Sequence, residues 1–257
     1  MRLPKTRNEI VVGIMNHKTI RGKVAYHSHA SGKQREFGRE WFSITTHQDG
    51  ERTLRAQCEI ERGVVAERDV LRDVTYTTDS LFRPVDCYTR IHANGKFLGA
   101  GWMRFRGCEA ECESLSATNG RVSQRVRLER PARSLGSHPV SSDAFHLPRF
   151  DHRLQDRVQY QPDVWMTSLE HDGCSGPLLA SLPLSLEYCG RETVTVGAGT
   201  FEADHYRFLI EVATGAVPRQ HPTEDLWCLP NSYIFIKATV GGYMAASFEL
   251  VELDLGI

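Results

Sequence analysis

Apolar and polar residues alternate along most of the chain with a period of two, and short turn sequences interrupt the alternation. Residues 41–46 pass through His47-Gln48-Asp49-Gly50 into residues 52–60. There Leu54, Ala56, Cys58 and Ile60 point one way and Arg55, Gln57 and Glu59 the other, because successive strand side chains leave opposite faces. A Glu61-Arg62-Gly63 turn leads into a run over 64–78, which Phe82-Arg83-Pro84 ends. Then Val85, Cys87, Thr89 and Ile91 alternate with Asp86, Tyr88, Arg90 and His92. Asn94-Gly95 follows, a pair that tolerates the positive φ of a tight hairpin. Runs over 97–106, 110–118 and 121–128, the last two joined by Asn119-Gly120, continue the series. Such close connections predict consecutive antiparallel strands, a meander.

Between Pro131 and Pro148 the pattern changes. Pro139-Val140-Ser141-Ser142-Asp143 predicts a helix entry with Ser141 or Ser142 as cap, and Pro148 limits the helix to a couple of turns, with residues 149–157 able to continue it past a kink. Residues 161–177, rich in Pro, Gly and Ser, predict a long loop. Strands return over 182–188, 192–196, 201–212, 225–229, 233–240 and 244–253. So many strands in one open sheet must curl or split. Gly99 and Gly101, two residues apart, suit a strongly bent strand. The expected fold is mostly β: one curved antiparallel meander forming a half-barrel or open barrel. It is a single domain over 1–257, with 131–177 as a helix and loop insert over the sheet.

Residues 185–212 read SLEYCGRETVTVGAGTFEADHYRFLIEV, and residues 225–253 carry Trp227 and a final strand with Glu249 and Glu252. The segment from Arg191 to Val196, then Ala198-Gly199-Thr200-Phe201 and another strand, resembles a family of uncharacterised bacterial proteins. That family is related in fold to the lipoprotein-carrier half-barrels of the bacterial envelope. The resemblance covers the last third of the chain well and the first half in strand pattern only. It implies a lipoprotein-carrier-like curved sheet whose concave face can hold an apolar molecule, an architecture used by carriers and by cofactor-free enzymes alike.

Composition narrows the partners. The 257 residues carry 31 Lys and Arg against 32 Asp and Glu, so there is no global basic field, and no nucleic-acid partner is expected. The apolar run at 10–14 is too short for a signal-peptide core or a membrane span, and no later run nears 18 apolar residues. A cytoplasmic location is the expectation. Seven cysteines without a CxxC pair predict reduced thiols; Cys108 and Cys112 lack a second ligand pair for zinc. No GxGxxG, P-loop, GxSxG or HExxH occurs, so no nicotinamide, ATP or serine-hydrolase chemistry is indicated, and no cofactor is expected.

Candidate chemistry falls into three groups. His27 and His29 stand at i and i+2, a spacing that suits a metal pair, although the glutamate of a cupin motif does not follow. Asp143 and His146 stand at i and i+3 of the predicted helix, with His138 and Ser142 nearby; a carboxylate beside an imidazole raises its basicity. On the polar strand faces Arg55 and Glu59, then Tyr88 and Arg90, then Trp102 and Arg104 could bind a carboxylate or an aromatic ring. Arg121, Arg125, Arg127, Arg130 and Arg133 lack interleaved aromatics and read as a solvated face.

Three functions follow. The first is a cytosolic enzyme working on a hydrophobic or aromatic small molecule by cofactor-free acid/base chemistry of lyase, isomerase, dehydratase or decarboxylase type. In it His146 is the acid/base, Asp143 its orienting carboxylate and Tyr88 part of the catalytic set, while Arg90, Trp102, Arg104, Arg55 and Glu59 bind substrate. The second is a non-catalytic carrier of a lipid or aromatic acid. The third is a metal-dependent enzyme built on His27 and His29. Homodimerisation is left open, and alternation alone does not say which sheet face is concave.

Overall fold

The computed structural model describes residues 17–30, 32–63, 65–210 and 220–256. The first half is a meander, as expected from β2 onward; β1 has no counterpart in the sequence reading, and the run expected over 64–78 is a strand only from Val70: β1 (Lys18–Ser28), β2 (Arg35–Thr46), β3 (Arg52–Ile60), β4 (Val70–Thr78), β5 (Pro84–Ala93), β6 (Lys96–Arg106), β7 (Glu109–Ser116) and β8 (Gly120–Arg127). The second half adds β9 (Leu135–Gly136), β10 (Val158–Met166), β11 (Ala180–Val196), β12 (Gly199–Leu209), β13 (Glu224–Cys228), β14 (Phe235–Val240) and β15 (Ala246–Asp254). All belong to one sheet in the order β8-β7-β6-β5-β4-β3-β2-β1-β15-β14-β13-β12-β11-β10-β9. First and last strands meet at its centre, Tyr26 opposite Phe248, and every pairing but β9 with β10 is antiparallel.

The apolar face is the inside. Leu54, Ala56 and Cys58 are buried, while Arg55, Gln57 and Glu59 point out. Strand pairing does not close the sheet. From the edge strand β8 the Gln124 side chain reaches the segment just before β11, accepting the Leu179 N–H (2.9 Å) and donating to the Leu179 carbonyl (3.0 Å).

Several elements differ from the sequence expectation. Part of the predicted loop at 161–177 is β10; its Pro162 sits where the register with β11 shifts between Gln161 and Val164, a bulge that tolerates a missing N–H. The strands expected at 182–188 and 192–196 are one, β11, with an irregularity between Tyr188 and Gly190. Gly99 and Gly101 serve close approach: a Cβ on Gly101 would lie 3.0 Å from Pro177 Cβ and 2.6 Å from Ser114 Cβ. Residues 167–180 thus strap across the inner face of β6. The N-terminal run at 10–14, Val64 and the end of the 201–212 run lie outside the described residues.

The insert lies within the curl of the sheet. Helix α1 (Val140–Asp143) continues into a 3₁₀ turn (Ala144–Arg149) that accommodates Pro148, and Ala144, Phe145 and Leu147 are buried. Neither expected serine caps the helix; Ser142 Oγ donates back to the Pro139 carbonyl at 2.6 Å. The cap comes from β2. The carboxylate of Glu40, wholly buried, accepts the N–H groups of Val140 (2.9 Å) and Ser141 (3.2 Å) and the Tyr26 hydroxyl (2.5 Å). A buried charge needs such partners, and three donors on one carboxylate supply them.

Candidate functional site

Inside the curl is a cavity of about 160 Å³. Apolar walls come from Phe37, Val164, Leu184, Phe208, Val240 and Phe248, on strands of both halves. Into this lining project Arg72 of β4, Asp143 of α1, His146 of the 3₁₀ turn, His138 just before α1, and Glu224 of β13. Arg72 is almost fully buried; its Nη2 donates to the Asp172 carbonyl, and its Nε has no partner among the described residues.

Burial governs the titration of these groups. Burial first, then Glu224 and Glu40, pushes Asp143 well above the usual carboxylate range, and Arg72 pulls it back in part. Burial, then Asp225, raises Glu224 to about 7. Burial, then the Arg149 cation, lowers His146 to about 3; burial, then Arg72, does the same to His138. Both imidazoles are neutral at pH 7 and already bonded, His146 Nδ1 with the Ser134 hydroxyl and His138 Nε2 with the Ser168 carbonyl at 3.2 Å.

Asp143 and His146 therefore both reach the cavity, but no hydrogen bond joins them. Tyr88, Arg90, Arg55 and Glu59 are exposed on the outer face, with Trp102 and Arg104 half-buried there. Tyr88 pairs with Trp102 across β5 and β6, and Arg104 lies 5.1 Å from the Trp102 ring centroid and donates to Glu111 at 3.1 Å. The structure gathers Tyr88, Trp102 and Arg104 as neighbours, away from the cavity. His29 Nε2 meets Ser247 Oγ at 2.8 Å, and His27 Nδ1 has no partner among the described residues. Among the described residues the metal-type cluster lies elsewhere: Cys189, His205 and Asp225, on the outside of β11, β12 and β13. Its charges are already engaged, since Arg207 donates to Asp225 at 2.9 Å and His205 lies between Asp225 (2.8 Å) and Glu192 (3.4 Å).

Sequence reasoning passed over Glu40, Arg72 and Glu224. Each had a readable signal, a charge in the apolar register of its strand: Glu40 with Phe42 and Ile44, Arg72 with Val70 and Val74, Glu224 with Leu226 and Cys228.

No family model matches the chain, and no curated protein matches it significantly. Among solved structures, a β-barrel-like protein of domain of unknown function DUF1849 from Brucella abortus aligns with a TM-score of 0.58 at 9% identity, covering 93% of this chain and 98% of that one. That likeness shows the fold. An exported protein with a YmcC-like fold from Bacteroides fragilis (9% identity, 91% and 95% coverage) and a lipoprotein from Parabacteroides distasonis (10%, 93% and 96%), so described, align at a TM-score of 0.33.

Two expectations are corrected. The acid/base enzyme is withdrawn: the matched fold is one of unknown function, and an imidazole at about 3 is too weak a base for proton abstraction near neutral pH. The cytoplasmic location is withdrawn too: it rested on the lack of a long apolar run, and that lack does not place a protein. Among the described residues no helix is long and apolar enough to cross a membrane.

Proposed function

We propose that the protein is a non-catalytic binding protein that holds a small apolar molecule inside its curled sheet. The cavity of about 160 Å³ with apolar walls carries this reading. An apolar hole of roughly 150 Å³ takes benzene, whereas drug-sized ligands need roughly 300 Å³ or more. The size favours a single-ring or short branched molecule over a whole lipid. Similarity of residues 185–253 to a family related in fold to lipoprotein carriers agrees with a carrying role, and the neutral, hydrogen-bonded histidines agree with the absence of a poised base.

Thermal unfolding with added toluene tests it. A ligand that binds only the folded state raises Tm by mass action. Toluene is expected to raise Tm, palmitate to leave it unchanged, and Val240→Phe, which grows a ring into the cavity wall, to abolish the toluene effect. No shift with toluene, or an undiminished shift in Val240→Phe, rejects the reading.

A further inference from the structure

The polar groups of the cavity say what kind of small molecule it takes. Glu224 is 7% exposed and faces the cavity, as does Asp143. Among the described residues neither carboxyl has a hydrogen-bond or ion-pair partner. Buried carboxyls are ordinarily paired, so Glu224 left bare, with half-buried Asp143 bare in the same cavity, marks a place where a partner is missing. From these two groups we propose that the bound molecule is a small amine, its apolar body against the Phe208 and Phe248 walls and its ammonium group between Asp143 and Glu224. The proposal rests on the reading of the cavity as a binding site and adds the ligand's head group.

The competing ligand is a carboxylate held by Arg72. Charge decides between them. Arg68 lies 3.8 Å from Glu170 and 3.4 Å from Asp172, and Arg72 is the one cation that lines the cavity among the described residues. Arg68 thus offsets Glu170 and Asp172, Glu40 is spent on the helix and Tyr26, and Arg72, bonded to the Asp172 carbonyl, acts in part on Asp143. Glu224 is left without a cation and Asp143 with a share of one. A carboxylate ligand would crowd a third acidic group against these two with Arg72 alone to hold it, while an ammonium group favours their ionised forms and donates hydrogen bonds to both. Arg72 is also hemmed in: a Cβ on Gly173 would lie 2.5 Å from its Nη2, so the loop covers the guanidinium.

Isothermal titration of the full chain with three probes of one shape (cyclohexylamine, cyclohexanol and cyclohexanecarboxylate) tests this. Cyclohexylamine is expected to bind at least tenfold tighter than cyclohexanol, and cyclohexanecarboxylate more weakly than either. In Glu224→Gln and Asp143→Asn the ratio of amine to alcohol affinity is expected to fall toward one, with thermal unfolding confirming that each variant is folded. An amine no tighter than the alcohol, or a preference that survives both substitutions, overturns the proposal and leaves the apolar cavity standing. Tighter carboxylate binding overturns it in favour of Arg72. Failure of all three probes rejects the cavity reading itself, and the amine with it.

Discussion

Acidifying the protein should weaken it through its buried imidazoles, of which His146 is the more deeply enclosed. His146 is 4% exposed, its Nδ1 held by Ser134 and its ring edge-on to Phe208, so the fold accepts only the neutral ring. Its pKa falls from an ordinary 6.5 to about 3, by burial first and Arg149 second. A group whose folded pKa is depressed in this direction for a base stabilises the fold fully above 6.5. The unfolded chain takes up the proton first, so that stability is lost as pH falls from 6.5 toward 3. At about 1.4 kcal/mol per pH unit the loss is roughly 2 kcal/mol by pH 5 and roughly 4 kcal/mol by pH 3, a large share of an ordinary domain's stability. Other groups titrate in the same range, so the wild-type curve alone does not isolate the term. Urea unfolding of wild type and His146→Asn at half-unit steps from pH 7.5 to 4.5 does, because Asn keeps an acceptor near the Nδ1 position and has no proton to gain. The variant starts from a lower stability, and the gap should close by roughly 2 kcal/mol on reaching pH 5. A gap that stays constant across the range would show that the ring is protonated in the folded state, and the reasoning about burial would be wrong.

Glu224 works in the opposite sense: its folded pKa is raised to about 7, so stability present below 4.5 is lost as pH climbs toward 7, and Glu224→Gln should gain roughly 3 kcal/mol on wild type between pH 4.5 and 7.5 by the same urea measurement. Glu40→Ala strips partners from the Val140 and Ser141 N–H groups and the Tyr26 hydroxyl, and at about 1–3 kcal/mol for each buried unpaired group it should cost at least roughly 3 kcal/mol; a loss under about 1 kcal/mol in urea would mean that the insert does not depend on this cap. Gly101→Val should cost about 1–3 kcal/mol by driving a side chain into Pro177 and Ser114, and faster proteolysis within 167–180 would locate the damage in the strap. Tyr88→Ala and Arg90→Ala, on the outer face, should leave the toluene-induced Tm shift as in wild type, and a loss of that shift would mean that the ligand sits outside the sheet.

How much of this was legible in the sequence depended on the range of the interactions. The meander over β2 to β8 was readable because each hairpin is local: alternation sets the faces and Asn94-Gly95 or Asn119-Gly120 sets the turn. The pairing of β1 with β15, more than two hundred residues apart, had no such local mark. Nor did the strap, whose contacts with Gly99 and Gly101 were read as a bend in the strand because the sequence shows the glycine and not what approaches it. Of the candidate site, Asp143 and His146 were found from a helix pattern that does place them at the cavity. The six residues on the polar strand faces were selected by chemistry without knowing which face is concave, and the outer face holds them.

That last outcome has a physical reason that applies to any curled sheet. Polar side chains on the solvent-facing register cost nothing to place there, so a cluster such as Tyr88, Trp102 and Arg104 says little about selection for binding. A charge in the inward register is different: it must be desolvated, and the fold tolerates it only if something offsets the cost. Glu40 is offset by two helix N–H groups and a hydroxyl, and its role is structural. Arg72 is offset in part by the Asp172 carbonyl. Glu224, in register with Leu226 and Cys228, is offset by nothing in the described chain, and it responds by holding its proton up to about pH 7. Ordering the inward charges by how completely the protein itself satisfies them therefore sets Glu40 apart as scaffold, and it singles out Glu224 and Asp143 as the groups for which the proposed ligand would supply the missing half.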